Sequence, residues 1–248
     1  MKIYSPNVKI FDDDSDVDKY ASSFVINQVG SKPYSVITLP TGSTPLGMYT
    51  LLSDAYSEGK ISFRFSIFFN LDEYWPIKKS SPSSYYYYMN TNFFNKIDSP
   101  CSNRFIPNGE ANDPNLESEK YNNLLDKYGL SDLTVLGIGP GKTAHIGFNE
   151  VGSDYNSKTR YVLLSQETYN TNLKFFNKKE DMPIGAITQG ISNILNSKKI
   201  ILIAKGANKA WGINRVINGH IGTDAPASFL RYHPDVTFIL DKDASEML

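Results

Sequence analysis

The feature that most limits the fold of this chain is a set of short apolar runs, each breaking at once into glycine, proline or polar residues. Tyr34–Leu39 (YSVITL), Leu133–Leu136 within DLTVLGIGPGKTAHIGFNE, and Lys199–Ala204 (KIILIA) are the clearest. A strand that is apolar on both faces needs cover on both faces, the situation of a parallel sheet sandwiched by helices. Helical patterns lie between the runs: Asp16–Val29, Leu46–Tyr56, Ser81–Asn95, Asp113–Tyr128, Gln166–Phe176, Gly190–Leu195, Asn208–Ile217 and Ala225–Arg231. Phe63–Leu71, Arg160–Leu164, Ile184–Thr188 and Val236–Leu240 read as further strands. The alternation runs the length of the chain without a linker or repeat. It predicts one doubly wound α/β unit over residues 1–248, with a mostly parallel sheet and helices on both faces.

Composition excludes several functions. A net charge of −1 over 248 residues suggests no polyanion partner such as nucleic acid. The single cysteine, Cys101, allows neither an internal disulfide nor a cysteine metal site, which fits a reducing cytosol. The N-terminal MKIYSPNVKIFDDD lacks the apolar core of a signal peptide, and no apolar run approaches the roughly 20 residues of a membrane helix. The tyrosine run Tyr85–Tyr88 reads as compositional drift, with no role attached.

Three segments carry chemistry. After the Tyr34–Leu39 strand comes PTGSTP, with Thr44 as the expected N-cap and Pro45 at the first helical position. Backbone N–H groups of Thr41, Gly42, Ser43 and Thr44, two hydroxyls and the positive end of a helix would converge on an anion there. An ordinary capped βα turn has the same pattern, and this loop is neither a Walker loop nor a dinucleotide fingerprint. Phe63–Leu71 delivers Asp72 and Glu73 at its end. Adjacent buried carboxylates are costly unless solvated, paired or used, and strand alternation lets only one of them face a pocket. The third segment, Asp132–Glu150, turns glycine-rich at Gly137, Gly139 and Gly141 and ends with His145, Asn149 and Glu150 close together. Lys209 stands in the first turn of a helix, where a cation opposes the dipole, so an anionic ligand is suspected beside it.

Together these segments resemble the glucosamine-6-phosphate deaminase (isomerase) family, whose relatives include the 6-phosphogluconolactonases. LPTGSTPLGMY, FNLDEY, SSYYYYMNTNFF, HIGFNEVGS, AITQGISNIL and AKGANKA carry the resemblance, in order, over nearly the whole chain. HIGFNE is similar to the deaminase branch; the lactonase branch usually reads His-Thr-Ala-Ser there. The resemblance implies a Rossmann-like sheet, no cofactor, no metal, and a small sugar phosphate as substrate. Glucosamine 6-phosphate would be opened, isomerised and deaminated to fructose 6-phosphate and ammonia. By resemblance Asp72 is the base that moves a proton between C2 and C1. His145, oriented by Glu150, assists ring opening. Gly42, Ser43 and Thr44, with Lys174 and Lys209, hold the phosphate. A lactonase-type hydrolase, a galactosamine-6-phosphate deaminase and a non-catalytic sugar-phosphate binder remain the alternatives.

This sequence departs from the family in places. Relatives carry Gly-X-Asp/Asn-Gly before the histidine; here Pro140, Gly141, Lys142, Thr143 and Ala144 stand there, with Thr143 at the polar position or the loop lengthened by two residues. Thr143 cannot act as a carboxylate base but can hold a water or the histidine. Lys142 is expected to depress the pKa of His145. Lys174 replaces the arginine of several relatives, giving the phosphate a point charge instead of a fork. Hexameric, allosteric members continue into a further C-terminal segment, so effector regulation is not expected although a homo-oligomer is admissible; Ser153 and Arg160 do not make an effector site alone.

Overall fold

The computed structural model describes residues 2–248; Met1, which begins the N-terminal segment above, lies outside them. Seven strands form one sheet: β1 (Asn7–Phe11), β2 (Val36–Leu39), β3 (Ile67–Asn70), β5 (Arg104–Phe105), β6 (Leu133–Gly137), β9 (Ile200–Ala204) and β10 (Val236–Asp241). Their order is β1-β10-β9-β6-β2-β3-β5, and every neighbouring pair is parallel. β2, β9 and β10 are buried along their whole length, as two-sided cover requires.

Helices supply that cover. On one face α1 (Asp14–Ser31), α2 (Leu46–Ser57) and α3 (Tyr85–Asn92) pack Val17, Ala21, Val25, Met48, Tyr49, Leu52 and Met89 against Ile37, Leu39, Phe68 and Val135. On the other, α6 (Ile191–Leu195) and α7 (Ala210–Asn218) bring Ile191, Ile194, Ile213 and Val216 onto Leu136, Leu202, Phe238 and Leu240. Each fully buried aliphatic or aromatic side chain contributes about 1.5–3 kcal/mol, so these two layers dominate the folding free energy. α4 (Pro114–Tyr128) starts as its sequence predicts. The Asp113 carboxylate accepts from the N–H groups of Asn115 and Leu116, Pro114 opens the first turn, and Gly129 closes the helix at φ 76°.

The Phe63–Leu71 strand is shorter than expected, and the residues after it are not a turn. Asp72–Trp75 is itself a strand, β4, in a second sheet of order β4-β8-β7, antiparallel throughout, with β8 (Gly185–Thr188) and β7 (Arg160–Leu163). Leu71 is the crossing point: its N–H still bonds Leu39 in the large sheet, while its carbonyl accepts from Gln189 beside β8. The expected Gln166–Phe176 helix is α5 (Gln166–Asn172) followed by a 3₁₀ turn, Leu173–Phe175, and Asn208–Ile217 likewise begins as a 3₁₀ turn, Ala207–Lys209. Finally, β1 has no apolar run to announce it, because it is an edge strand with three of five residues exposed.

The topology places a site. From β2 the chain builds outward through β3 to β5, then returns to lay β6 on the other side of β2. The loops leaving β2 and β6 therefore diverge above the sheet, and the carboxyl ends of an open α/β sheet bind ligands at such a crevice.

Candidate active site

A cavity of about 560 Å³ opens there, and the loops after β2, β6, β9 and β10 and the step from β3 to β4 all line it. Its walls include Thr41, Gly42, Ser43, Thr44, Asp72, His145, Lys174 and Lys209. Of the residues given a catalytic or phosphate-binding role in the sequence reading, only Glu150 is absent from that lining.

The loop after β2 is shaped by its backbone. Gly42 takes φ 95°, a left-handed value that side-chained residues adopt reluctantly, and its carbonyl accepts a 2.6 Å bond from the Tyr88 hydroxyl. Thr44 is not the helix cap: α2 is preceded by Pro45, and no side chain caps it. The Ser43 and Thr44 hydroxyls, not engaged in capping, thus stand at an uncapped positive helix end. Lys209 Nζ donates to the Ile138 carbonyl at 2.6 Å, which fixes its ammonium at the mouth of the β6 loop. Burial, and then the nearby charge of Lys174, bring its pKa down to about 8. Lys174 itself is exposed and lies over the Phe175 ring at 5.1 Å. Two cations lining one cavity are mutually unfavourable, and an anion bound near both removes the conflict.

The adjacent carboxylates divide as strand alternation requires. Glu73 turns away and accepts from the backbone N–H groups of Tyr74, Tyr85 and Tyr86, at 2.8–2.9 Å, at the start of α3. It is a structural clamp. Asp72 faces the cavity at 5% exposure. Desolvation first, and the Glu73 charge second, raise its pKa to about 8. Even with its three donors Glu73 is raised by burial to about 7. The two form one coupled pair whose titration spans neutral pH. Gly147, at φ 56°, passes so close that a Cβ there would lie 3.2 Å from Asp72 Oδ2 and 2.9 Å from Thr188 Oγ1.

His145 is set by its own loop. The Gly139 N–H bonds the His145 carbonyl at 2.9 Å, and the ring lies flat against Gly139, where a Cβ would fall 1.9 Å from Cε1. Its Nδ1 is 2.6 Å from Thr143 Oγ1. Here the sequence expectation needs correcting. Glu150 does not hold the ring; its Oε2 accepts from the Ser165 N–H at the start of α5, while its Oε1 is buried without a partner. Glu150 acts on the imidazole through its charge, which raises the pKa, but burial outweighs it and, with Lys209, brings His145 down to about 4. The cation responsible is Lys209; Lys142 is exposed and plays no part in the shift. At neutral pH the imidazole is therefore uncharged.

Tyr85 was missed by sequence reasoning. It lines the cavity, buried enough for its phenol to stay protonated well beyond the usual range. It and Tyr88 hide within a four-tyrosine run whose other members, Tyr86 and Tyr87, are exposed. The helix period is the signal that separates them: positions one and four point inward together. Among the described residues no group of three or more His, Cys, Asp or Glu is arranged to hold a metal ion.

A parallel α/β sheet whose crevice joins a glycine-containing βα loop, two lysines, a buried carboxylate and a neutral imidazole has the make-up of an acid–base enzyme. The model of the glucosamine-6-phosphate isomerases/6-phosphogluconolactonase family matches residues 17–239, and the chain belongs to that family. It is 47% identical to a glucosamine-6-phosphate deaminase of Clostridium novyi (strain NT) over 248 residues, 100% of both chains. It is 45% identical to one of Thermoanaerobacter pseudethanolicus, over 94% of this chain and 91% of the relative. A solved structure described as a monomeric glucosamine-6-phosphate deaminase superposes with a TM-score of 0.94 at 37% identity, covering 98% of this chain and 100% of its own. The 6-phosphogluconolactonase of Trypanosoma brucei shares the fold, with a TM-score of 0.79 at 19% identity over 99% of both chains. No helix of the described residues is long and apolar enough to cross a membrane.

Proposed function

We propose that this protein is a cytosolic glucosamine-6-phosphate deaminase, converting glucosamine 6-phosphate and water to fructose 6-phosphate and ammonia. The observation that carries the reading is Asp72, buried beside Glu73 yet open to a cavity that Lys174 and Lys209 also line. Such a carboxylate pair suits a substrate that carries a positive ammonium close to the atom to be deprotonated. The incoming cation favours the ionised carboxylate and draws Asp72 into its basic form as the complex assembles. A lactone has no cation to offer, so the same pair gives a lactonase nothing.

In this scheme the phosphate rests on Thr41, Gly42, Ser43 and Thr44 with Lys209 and Lys174, and its binding energy holds the sugar in register. His145 Nε2 takes the proton of the anomeric hydroxyl and returns one to the ring oxygen, opening the pyranose. Neutral imidazole is the form this needs, and burial supplies it. Asp72 then takes the C2 proton and delivers it to C1, while one proton of the ammonium passes to the C1 oxygen, leaving a protonated imine at C2. Water adds to that carbon, ammonia leaves, and the ketose phosphate remains. Glu150 helps to hold the charge that His145 acquires in passing.

The test is release of ammonia together with fructose 6-phosphate from glucosamine 6-phosphate, with galactosamine 6-phosphate run beside it. Turnover no greater than that of an Asp72→Asn variant overturns the reading. Efficient 6-phosphogluconolactone hydrolysis that survives Asp72→Asn would assign the cavity to the lactonase branch instead.

A further inference from the structure

We infer that Thr143 is the positioning residue of His145, and that as a hydroxyl it leaves the imidazole free to exchange tautomers where a carboxylate would lock one. The inference rests on the proposed ring-opening role of His145, but its central measurement does not.

The geometry is local. Thr143 Oγ1 lies 2.6 Å from Nδ1. The residue between them, Ala144, is the one non-glycine residue among those described with positive φ, at 45°, and it is fully buried. A left-handed alanine costs on the order of 1 kcal/mol and persists only where surrounding contacts impose it. Those contacts are present: the Ala144 carbonyl accepts from the Ala227 N–H at 3.0 Å, the Gly141 N–H bonds the Asn208 carbonyl at 3.3 Å, and Gly139 backs the ring. The loop thus bears a strained residue at the one position that sets the threonine and histidine side chains together.

The partner's chemistry decides what the histidine can do. A carboxylate only accepts, so it would hold the proton on Nδ1 and keep Nε2 as a lone pair. A hydroxyl donates or accepts. With the hydroxyl proton on Nδ1, Nε2 carries N–H toward the cavity; with Nδ1–H donating to Oγ1, Nε2 offers its lone pair. Ring opening asks one nitrogen to take a proton and then to give one. Both tautomers are satisfied by Thr143, so either can face the sugar without breaking the Nδ1 bond. The cost is that a neutral hydroxyl stabilises the transient imidazolium less than a carboxylate does, leaving that task to Glu150 at longer range.

The experiment is ¹⁵N NMR of histidine-labelled protein, comparing the wild type with Thr143→Ser, Thr143→Val and Thr143→Asp, alongside steady-state kinetics. Expected are averaged His145 ring-nitrogen shifts in the wild type and Thr143→Ser, and a single Nδ1–H form in Thr143→Asp. Thr143→Val should lower kcat about 10-fold or more with KM little changed, and Thr143→Ser should restore it. Wild-type shifts of one fixed tautomer, or Nδ1 shifts unaltered in Thr143→Val, overturn the inference whatever the activity. A Thr143→Val variant that keeps full kcat also overturns it. If the shifts behave as expected but no variant or wild type releases ammonia, it is the proposed deaminase activity that fails, and the tautomer exchange stands.

Discussion

Asp72 and His145 reach one cavity from segments built in opposite ways. Asp72 sits on β4, a regular strand paired residue for residue with β8, so its backbone carries no strain. Its stress is electrostatic: a carboxyl removed from water beside a second carboxyl. His145 sits on a loop with left-handed backbone at Gly141, Ala144 and Gly147, while its side chain has a close partner in Thr143. One segment stores its stress in charge, the other in conformation. In the proposed reaction a carbon acid needs a base of raised pKa, which burial and a neighbouring carboxyl supply. A ring that must shuttle a proton needs placement, which a tight loop supplies.

The largest effect should come from removing the stressed charge. Asp72→Asn keeps the shape and relieves the burial penalty, so the variant is expected to be at least as stable as the wild type. Its kcat should fall on the order of 10³-fold, since a positioned base contributes about 10²–10⁴. Thermal melts beside the ammonia assay check both halves. A variant that lost activity only by unfolding would remove the contrast between the two segments.

Gly139→Ala tests the conformational side. The new methyl would fall 1.9–2.3 Å from three atoms of the His145 ring, so the ring must move. Displacements of about 1 Å cost roughly 10²-fold where groups are held for reaction. The expected signature is a fall in kcat with little change in KM. At the anion end, Lys209→Met keeps the stem but removes both the bond to Ile138 and the cation. Loss of a charged hydrogen bond is worth about 1.5–3 kcal/mol, so KM should rise roughly 10- to 100-fold with kcat less affected.

How much of this was legible in the sequence follows the same division. The inner strands of the parallel sheet could be read because β2, β6, β9 and β10 announce themselves by apolar runs, whereas the edge strands β1 and β5 do not. The second sheet could not. β4 is DEYW, whose Asp and Glu are poor strand formers, and its partner Gly185–Thr188 lies more than a hundred residues downstream, so nothing nearby marks Asp72–Trp75 as a strand. Glu73's role was hidden for the same reason, because the N–H groups it clamps belong to Tyr85 and Tyr86, on the next helix. The choice between Asp72 and Glu73 was legible to the extent that one had to turn away. The partner of His145 was half legible. Position named Thr143, resemblance named Glu150, and geometry gave Nδ1 to the threonine.

The smallest effect, and the most direct reading of stored electrostatic stress, is the pH dependence of stability. Asp72 and Glu73 have folded pKa values of about 8 and about 7, above the usual carboxylate range. Groups raised on folding lend stability that is complete below their unfolded pKa and lost as pH climbs through the folded one. His145, lowered to about 4, works the other way: its contribution is present above the unfolded value near 6.5 and is lost as pH falls toward 4. The two oppose each other below about pH 6.5. From there to about pH 8 the carboxylates act alone, so the ligand-free protein should lose stability across that window. Denaturant titrations at half-unit steps of pH measure it. In Asp72→Asn the downward slope should shrink, since only Glu73, relieved of its neighbour, remains to titrate. Glu73→Gln should move the acid limb of kcat/KM to lower pH, because the charge that pushes Asp72 up is gone. A slope unchanged in both variants would mean that the carboxyl pair carries no electrostatic stress. The contrast with the conformationally stressed loop of His145 would then have to be abandoned.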